Sequence, residues 1–249
     1  MTLINYKEYP ECMFAVIAAF LPSNEGDDIR RVAGKVVFRS EDRFGSTYKN
    51  GLLHSYGDRP AISLDSGANK FWYRNGLRHR DGDLPAVETG ENYREWWIDG
   101  RIHREGDKPA VVNGEWSQTW YRHGQRHRED EKPALIIGTL REWWVNGELH
   151  REGDQPAVVN GERREWRRHG EIHREGDMPA IITGDYQIWY NHGKIHREGD
   201  LPAVIDGDRQ EWRIDNEIHR EGGLPAVIDT VVGVEEWWIH GEFISAVQE

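Results

Sequence analysis

One short phrase recurs through most of this 249-residue chain at intervals of 23 to 25 residues. Its full form is His-Arg-Glu-Gly-Asp-x-Pro-Ala, preceded by large aromatic residues and a glycine-containing turn. A fixed period in this range indicates a repeat architecture, in which each unit buries its apolar face only against its neighbours. The spacing therefore predicts an elongated array. The histidines of the phrase are His54, His79, His103, His127, His150, His173, His196 and His219.

Two turn signals divide each unit into two short strands. The first ends three residues before the histidine, as in Asn75-Gly76 and Asp99-Gly100, and the second follows the Pro-Ala segment, as in Asn113-Gly114. Asn-Gly and Asp-Gly tolerate positive φ at both central positions, which a tight hairpin requires. We therefore predict an all-β fold, a repeat array of antiparallel β-hairpins that forms one elongated twisted sheet.

The extent of the phrase divides the chain into three segments. Residues 1–46 lack it and are predicted to form an N-terminal cap or a small head element. Residues 47–236 contain eight repeats, and residues 237–249 are predicted to form a degenerate C-terminal capping repeat, because decayed terminal units protect the open ends of arrays. The apolar stretch 13–21 follows acidic residues rather than a basic flank, so we expect a buried capping element there and not a targeting signal.

Composition restricts the class of partner. The formal net charge of −12 disfavours duplex DNA and anionic membranes, which attract proteins with an excess of Lys and Arg. No apolar run approaches the roughly 20 residues of a membrane span. The single cysteine, Cys12, excludes an intrachain disulfide framework and fits a reducing compartment, so we expect a cytoplasmic protein.

Strand alternation predicts two rows of large side chains on opposite faces of the sheet. A nearly invariant tryptophan lies four residues before the turn position, and this Trp ladder is expected to form the core. The residue after it is aromatic in most units and arginine in others. We expect this second row, the aromatic–Arg ladder, to bind a partner, although cross-strand pairing that only stiffens the sheet is the alternative. Its members are Tyr73, Trp97, Tyr121, Trp144, Arg167, Tyr190 and Arg213.

The period and the Tyr/Trp-x-x-Asn/Asp-Gly-x-x-His pattern resemble MORN repeats. They look more closely like a MORN-like variant with a His-Arg-Glu-Asp-Gly-Pro-Ala phrase, found in proteins of large DNA viruses and bacteriophages. The resemblance covers roughly residues 47–244. It implies hairpins stacked into a long, curved sheet and a role in scaffolding or self-association. A phospholipid role is not expected, because His-Arg-Glu-Gly-Asp replaces the Gly-x-Gly that typical units carry after the turn.

The His-Arg row is the most reactive-looking feature. We expect each arginine to span two carboxylates, one from its own unit and one from the next, and each histidine to bind a turn carbonyl. The alternative is an anion-binding row facing phosphates or acidic side chains. Eight nearly equal copies do not favour an enzyme, and an arginine beside each histidine disfavours a divalent metal, so we predict no catalytic residue, metal or cofactor. The residues of the anion-binding hypothesis are His103, Arg104, His150, Arg151, His173, Arg174, His196 and Arg197.

These patterns favour a non-enzymatic repeat scaffold that binds a protein partner through the aromatic–Arg ladder. The resemblance adds the expectation of a viral or phage factor that acts on a host protein in the host cytoplasm, or of a virion component. The alternative is a protein that binds phosphate-bearing ligands, namely a nucleotide or single-stranded nucleic acid, through the His-Arg row. The net charge disfavours nucleic acid.

Overall fold

A computed structural model describes residues 37–38, 46–49 and 51–248, so nearly all of the cap predicted for residues 1–46 lies outside it. The described residues form short strands and one 3₁₀ turn, Asp65–Gly67. No helix among them is long and apolar enough to cross a bilayer. In chain order the strands are β1 (Val37–Phe38), β2 (Thr47–Lys49), β3 (Leu52–Leu53), β4 (Ile62–Leu64), β5 (Asn69–Phe71), β6 (Tyr73–Arg74), β7 (Leu77–Arg78), β8 (Val87–Thr89), β9 (Tyr93–Glu95), β10 (Trp97–Ile98), β11 (Arg101–Ile102), β12 (Val111–Asn113), β13 (Ser117–Thr119), β14 (Tyr121–Arg122), β15 (Gln125–Arg126), β16 (Leu135–Ile137), β17 (Leu140–Glu142), β18 (Trp144–Val145), β19 (Glu148–Leu149), β20 (Val158–Asn160), β21 (Arg163–Glu165), β22 (Arg167–Arg168), β23 (Glu171–Ile172), β24 (Ile181–Thr183), β25 (Tyr186–Ile188), β26 (Tyr190–Asn191), β27 (Lys194–Ile195), β28 (Val204–Asp206), β29 (Arg209–Glu211), β30 (Arg213–Ile214), β31 (Glu217–Ile218), β32 (Val227–Asp229), β33 (Val234–Ile239) and β34 (Glu242–Gln248).

Half of these strands form one continuous antiparallel meander, the long sheet. Each member pairs with the members before and after it in chain order, from β4 at one edge to β34 at the other. The prediction of an all-β antiparallel repeat meander is confirmed. The long sheet consists of β4, β5, β8, β9, β12, β13, β16, β17, β20, β21, β24, β25, β28, β29, β32, β33 and β34.

The remaining strands form small units beside the long sheet. Strands β1 to β3 make a three-stranded sheet, and the others make two-stranded short hairpins. Their turns have the left-handed conformation that the sequence predicts: φ is 49° at Asn75 and 83° at Gly76, and Asp215 and Asn216 also have positive φ. The short hairpins pair as β6 with β7, β10 with β11, β14 with β15, β18 with β19, β22 with β23, β26 with β27 and β30 with β31.

The Trp ladder lies at the junction between the long sheet and the short hairpins. Trp96 separates β9 from β10; its backbone N–H donates to the carbonyl of Ala110 at 2.8 Å, and its carbonyl accepts the N–H of His103 at 3.0 Å. Six of the eight ladder tryptophans are buried, while Trp143 and Trp237 are half-buried, so the predicted core is confirmed. The alanine after each proline is fully buried, which leaves no room for a larger side chain.

Successive short hairpins join through single backbone hydrogen bonds. The N–H of Gly100 donates to the carbonyl of Arg78 at 2.9 Å, and the N–H of Gly124 donates to the carbonyl of Ile102 at 2.8 Å. The array therefore has two arms that meet at the Trp ladder, a fully paired long sheet and a row of short hairpins.

Candidate functional site

The arginine of the repeated phrase covers the tryptophan of the same repeat. The guanidinium carbon of Arg104 lies 3.7 Å from the ring centroid of Trp96, and the equivalent distance is 3.6 to 3.9 Å in the seven repeats from Arg80 to Arg220. The Nη1 group of Arg104 also donates to the carbonyl of Pro109 at 3.2 Å. A cation held over an indole face is attracted by the ring quadrupole, so this contact stabilises the junction between the arms.

Six of these seven guanidinium groups also tie their repeat to the one before it. Arg174 donates through Nε and Nη2 to the two carboxylate oxygens of Asp154, at 2.6 and 2.8 Å, and Arg197 binds Asp177 in the same way. Such bidentate, charge-assisted pairs are stronger than neutral hydrogen bonds. These hydrogen bonds lower the pKa of both aspartates. The tie between units differs from the expected one, because each of these arginines binds one carboxylate, in the repeat before it, and the proline carbonyl of its own repeat takes the place of a second carboxylate.

Seven of the eight histidines of the phrase accept a backbone N–H of the next hairpin through Nδ1, and His196 does not. Nε2 of His103 lies 2.8 Å from the carboxylate of Glu105, and Nδ1 accepts the backbone N–H of His123 at 3.1 Å. An accepting Nδ1 leaves the proton on Nε2, so this arrangement suits the neutral ring. The expected bond to a turn carbonyl is wrong, because the next turn presents an N–H group. The rings of His103 and His123 also stack, with centroids 4.4 Å apart.

The His-Arg row of the anion-binding hypothesis therefore lies inside the joints between repeats. Asp83, Asp154 and Asp177 bind the guanidinium groups of Arg104, Arg174 and Arg197. His150, His173 and His196 lie in the same loops, each with Nε2 within 3.5 Å of the acid two residues later. An external anion would have to replace the aspartates to reach these three arginines.

Arg151 is the exception in this row. It stacks on Trp143 and donates to the carbonyl of Pro156, but its buried Nε has no hydrogen-bond partner among the described residues. The preceding loop carries Asp130-Glu131 where the regular repeats carry Gly-Asp. The changed loop sequence therefore removes the arginine–aspartate pair that joins the other repeats.

A groove separates the two arms on the face opposite the Trp ladder. It has a volume of about 750 Å³ at the first repeats of the long sheet. Because residues on either side of each ladder tryptophan point into it, the structure brings three members of the aromatic–Arg ladder onto one wall. Its lining includes Tyr73, Leu77, Arg78, Trp97, Arg101, Ile102, Tyr121 and Arg126 from the hairpins, and Tyr93, Glu95, Val111 and Thr119 from the long sheet.

The other members of the aromatic–Arg ladder occupy the equivalent position in later hairpins. Trp144, Arg167, Tyr190 and Arg213 are all half-buried. The guanidinium carbon of Arg126 lies 5.0 Å from the ring centroid of Trp144, so the wall is continuous from the third hairpin to the fourth. Tyr190 packs on the cluster of buried aliphatic side chains in the later part of the long sheet.

A row of glutamates beneath the aromatic–Arg ladder was missed by the sequence analysis. Glu95 and Glu165 are each 5% exposed. The indole Nε1 of Trp144 donates to Glu142 at 2.7 Å, and Arg167 donates to Glu165. Burial raises the pKa of Glu165, but hydrogen bonds from two arginines outweigh it, so the net shift is downward and the carboxylate stays ionised.

The sequence does contain a signal for this row. In five repeats the residue before the ladder tryptophan is glutamate, and in each of them the residue after it is Trp or Arg, which supply N–H donors. In the three repeats where tyrosine follows the ladder tryptophan, the preceding residue is not acidic. The glutamates are Glu95, Glu142, Glu165, Glu211 and Glu236, and the replacements are Phe71, Thr119 and Ile188.

Comparison of the chain with protein-family models, curated proteins and solved structures finds no match. The repeated antiparallel meander is compatible with a MORN-like repeat. Over the described ranges, no three His, Cys, Asp or Glu side chains are grouped so that they could hold a metal ion.

Proposed function

We propose that the protein is a non-enzymatic scaffold of MORN-like repeats that binds a protein partner along the groove. The observation that carries the proposal is the groove wall, on which the sheet-to-hairpin bend aligns Tyr73, Trp97 and Tyr121. Aromatic residues and arginine are enriched at protein interfaces and at their energetic hot spots. A wall repeated from unit to unit suits a partner that extends along the array.

The tryptophans of the aromatic–Arg ladder serve the fold as well as the wall. Trp97 and Trp144 each hold a glutamate, so truncating them would leave carboxylates without their donors. The proposal is therefore tested at exposed positions of the same groove. Leu77 is 51% exposed, and Arg101 is also exposed at the neighbouring hairpin.

The experiment compares which proteins three baits capture from the cytosol in which the protein acts. The bait is the full chain, the groove variant Leu77→Asp with Arg101→Glu, or a control variant, Leu201→Asp with Arg59→Glu, which makes the same changes at exposed loop positions. We expect one stoichiometric protein with the native chain and the control and its loss with the groove variant, while all three unfold at similar temperatures. Equal capture by both variants contradicts the proposal.

The MORN-like resemblance extends the proposal to the origin of the protein and of its partner. We propose a viral or phage factor whose partner is a host cytoplasmic protein, or a virion component, with self-association as a further property of the array. A single-stranded nucleic acid would also stack on an aromatic wall. Nucleotide analysis of the captured material separates that outcome from a protein partner.

A further inference from the structure

The groove at the first repeats is positively charged relative to the rest of the molecule. Its lining contains Arg78, Arg101 and Arg126 but a single acidic side chain, Glu95. That carboxylate is buried and already lies 3.6 Å from Arg78 and 2.5 Å from the hydroxyl of Tyr93. The chain as a whole has a formal charge of −12, so this stretch of the groove is a local reversal of sign.

The positive side chains also have a regular spacing. Arg78 and Arg126 stand at equivalent positions of the second strand in their hairpins, with Ile102 at that position in the hairpin between them. Each repeat adds two strands of about 4.8 Å spacing, so the two arginines are about 19 Å apart along the array. The opposite row of the same hairpins reads Tyr73, Trp97 and Tyr121, which gives an Arg-Ile-Arg row beside an aromatic row.

The spacing of the two arginines matches an extended segment that lies along the groove, beside the β-strands that line it. At about 3.3 Å per residue, about six residues of extended chain pass from one arginine to the other.

We infer that the partner segment in this stretch is an extended acidic peptide, with two carboxylates about six residues apart and an apolar side chain between them. The carboxylates pair with Arg78 and Arg126, and the apolar side chain lies against Ile102 and the aromatic row. This inference rests on the proposed function, since it names the chemistry of the segment that the groove accepts. Charge complementarity of this kind contributes specificity and association rate as well as affinity.

The test uses two synthetic nonapeptides and the full chain. One has Glu at positions 2 and 8, Leu at position 5 and Ser elsewhere, and the other has Lys in place of both Glu. Binding is measured by fluorescence anisotropy at low and moderate salt. We expect the Glu peptide to bind at least tenfold more tightly than the Lys peptide, with affinity that falls as salt increases. Equal binding of the two peptides, or tighter binding of the Lys peptide, overturns the inference.

A charge swap separates a groove contact from general attraction. Arg126→Glu should weaken binding of the Glu peptide about tenfold and strengthen that of a peptide with Lys at position 8 alone, and Arg59→Glu should change neither. Equal effects of the two variants overturn the inference. The proposed function fails separately, if the groove variant captures the partner as well as the native chain does. Capture that depends on the groove, with no preference for the Glu peptide, refutes only the acidic segment.

Discussion

The indole Nε1 of Trp97 donates a 2.6 Å hydrogen bond to the carboxylate of Glu95, which is 5% exposed. This pair links the wall of the groove to its floor. The same relationship joins Trp144 to Glu142 and Trp238 to Glu236, and arginine replaces tryptophan as donor at Glu165 and Glu211. The mixed composition of the aromatic–Arg ladder therefore follows from the residue two positions earlier.

We expect donor and acceptor in this row to be replaceable only together. Trp144→Tyr removes the N–H donor from Glu142 and should lower the free energy of unfolding by about 1–2 kcal/mol, because a carboxylate in the groove floor loses its hydrogen bond. Adding Glu142→Ile reproduces the Ile188 and Tyr190 combination of a later repeat and should recover most of the loss. Urea unfolding measures both variants, and a double variant less stable than the single one contradicts this explanation.

One substitution should restore the missing carboxylate–guanidinium bond between position 131 and Arg151. Glu131→Asp restores the residue that binds the following arginine elsewhere in the array, and we expect about 1 kcal/mol of added stability from a partly exposed charge-assisted bond. The gain should disappear when Arg151→Gln is also present. A gain of the same size in both backgrounds would show that the backbone at position 131, where φ is 54°, is the cause and not the ion pair.

Acid should weaken the ties between repeats. Hydrogen bonds from Arg104 and Lys108 lower the pKa of Asp83 from 3.8 to about 2. A folded-state pKa below the unfolded value stabilises the folded chain above about pH 4, and this contribution is lost as the pH falls toward 2. Asp83→Asn should therefore be less stable than the native chain at neutral pH and equal to it near pH 2. Urea midpoints between pH 2 and 7 measure the difference, and a constant difference contradicts the assignment.

The period, the turns and the Trp ladder could be predicted from the sequence because each depends on residues close together in the chain. Asn75 and Gly76 specify their turn because both residues tolerate positive φ. The tryptophan of each repeat, such as Trp96, lies at a fixed distance before the turn. The alternation rule also separates the faces on which Trp96 and Trp97 lie. These features do not depend on how the neighbouring repeats pack.

The groove, and the choice of carboxylate that each arginine binds, could not be predicted in the same way. The groove lies between two arms that meet where the strands break at the ladder tryptophans, and no local pattern specifies how the arms face each other. The partner of Arg174 is Asp154, 20 residues earlier, which only the stacking of repeats brings within reach. The pairing of Glu95 with Trp97 could have been predicted from the sequence, because the residues at these two positions change together from repeat to repeat.

The most direct test of partner binding in the groove is site-specific photo-crosslinking. A benzophenone side chain at position 77, inside the groove, or at position 201, on an exposed loop, is irradiated in a lysate of the cells in which the protein acts. The groove proposal predicts a covalent adduct with one partner protein from position 77 and none from position 201. An adduct with that partner from position 201 alone would contradict it.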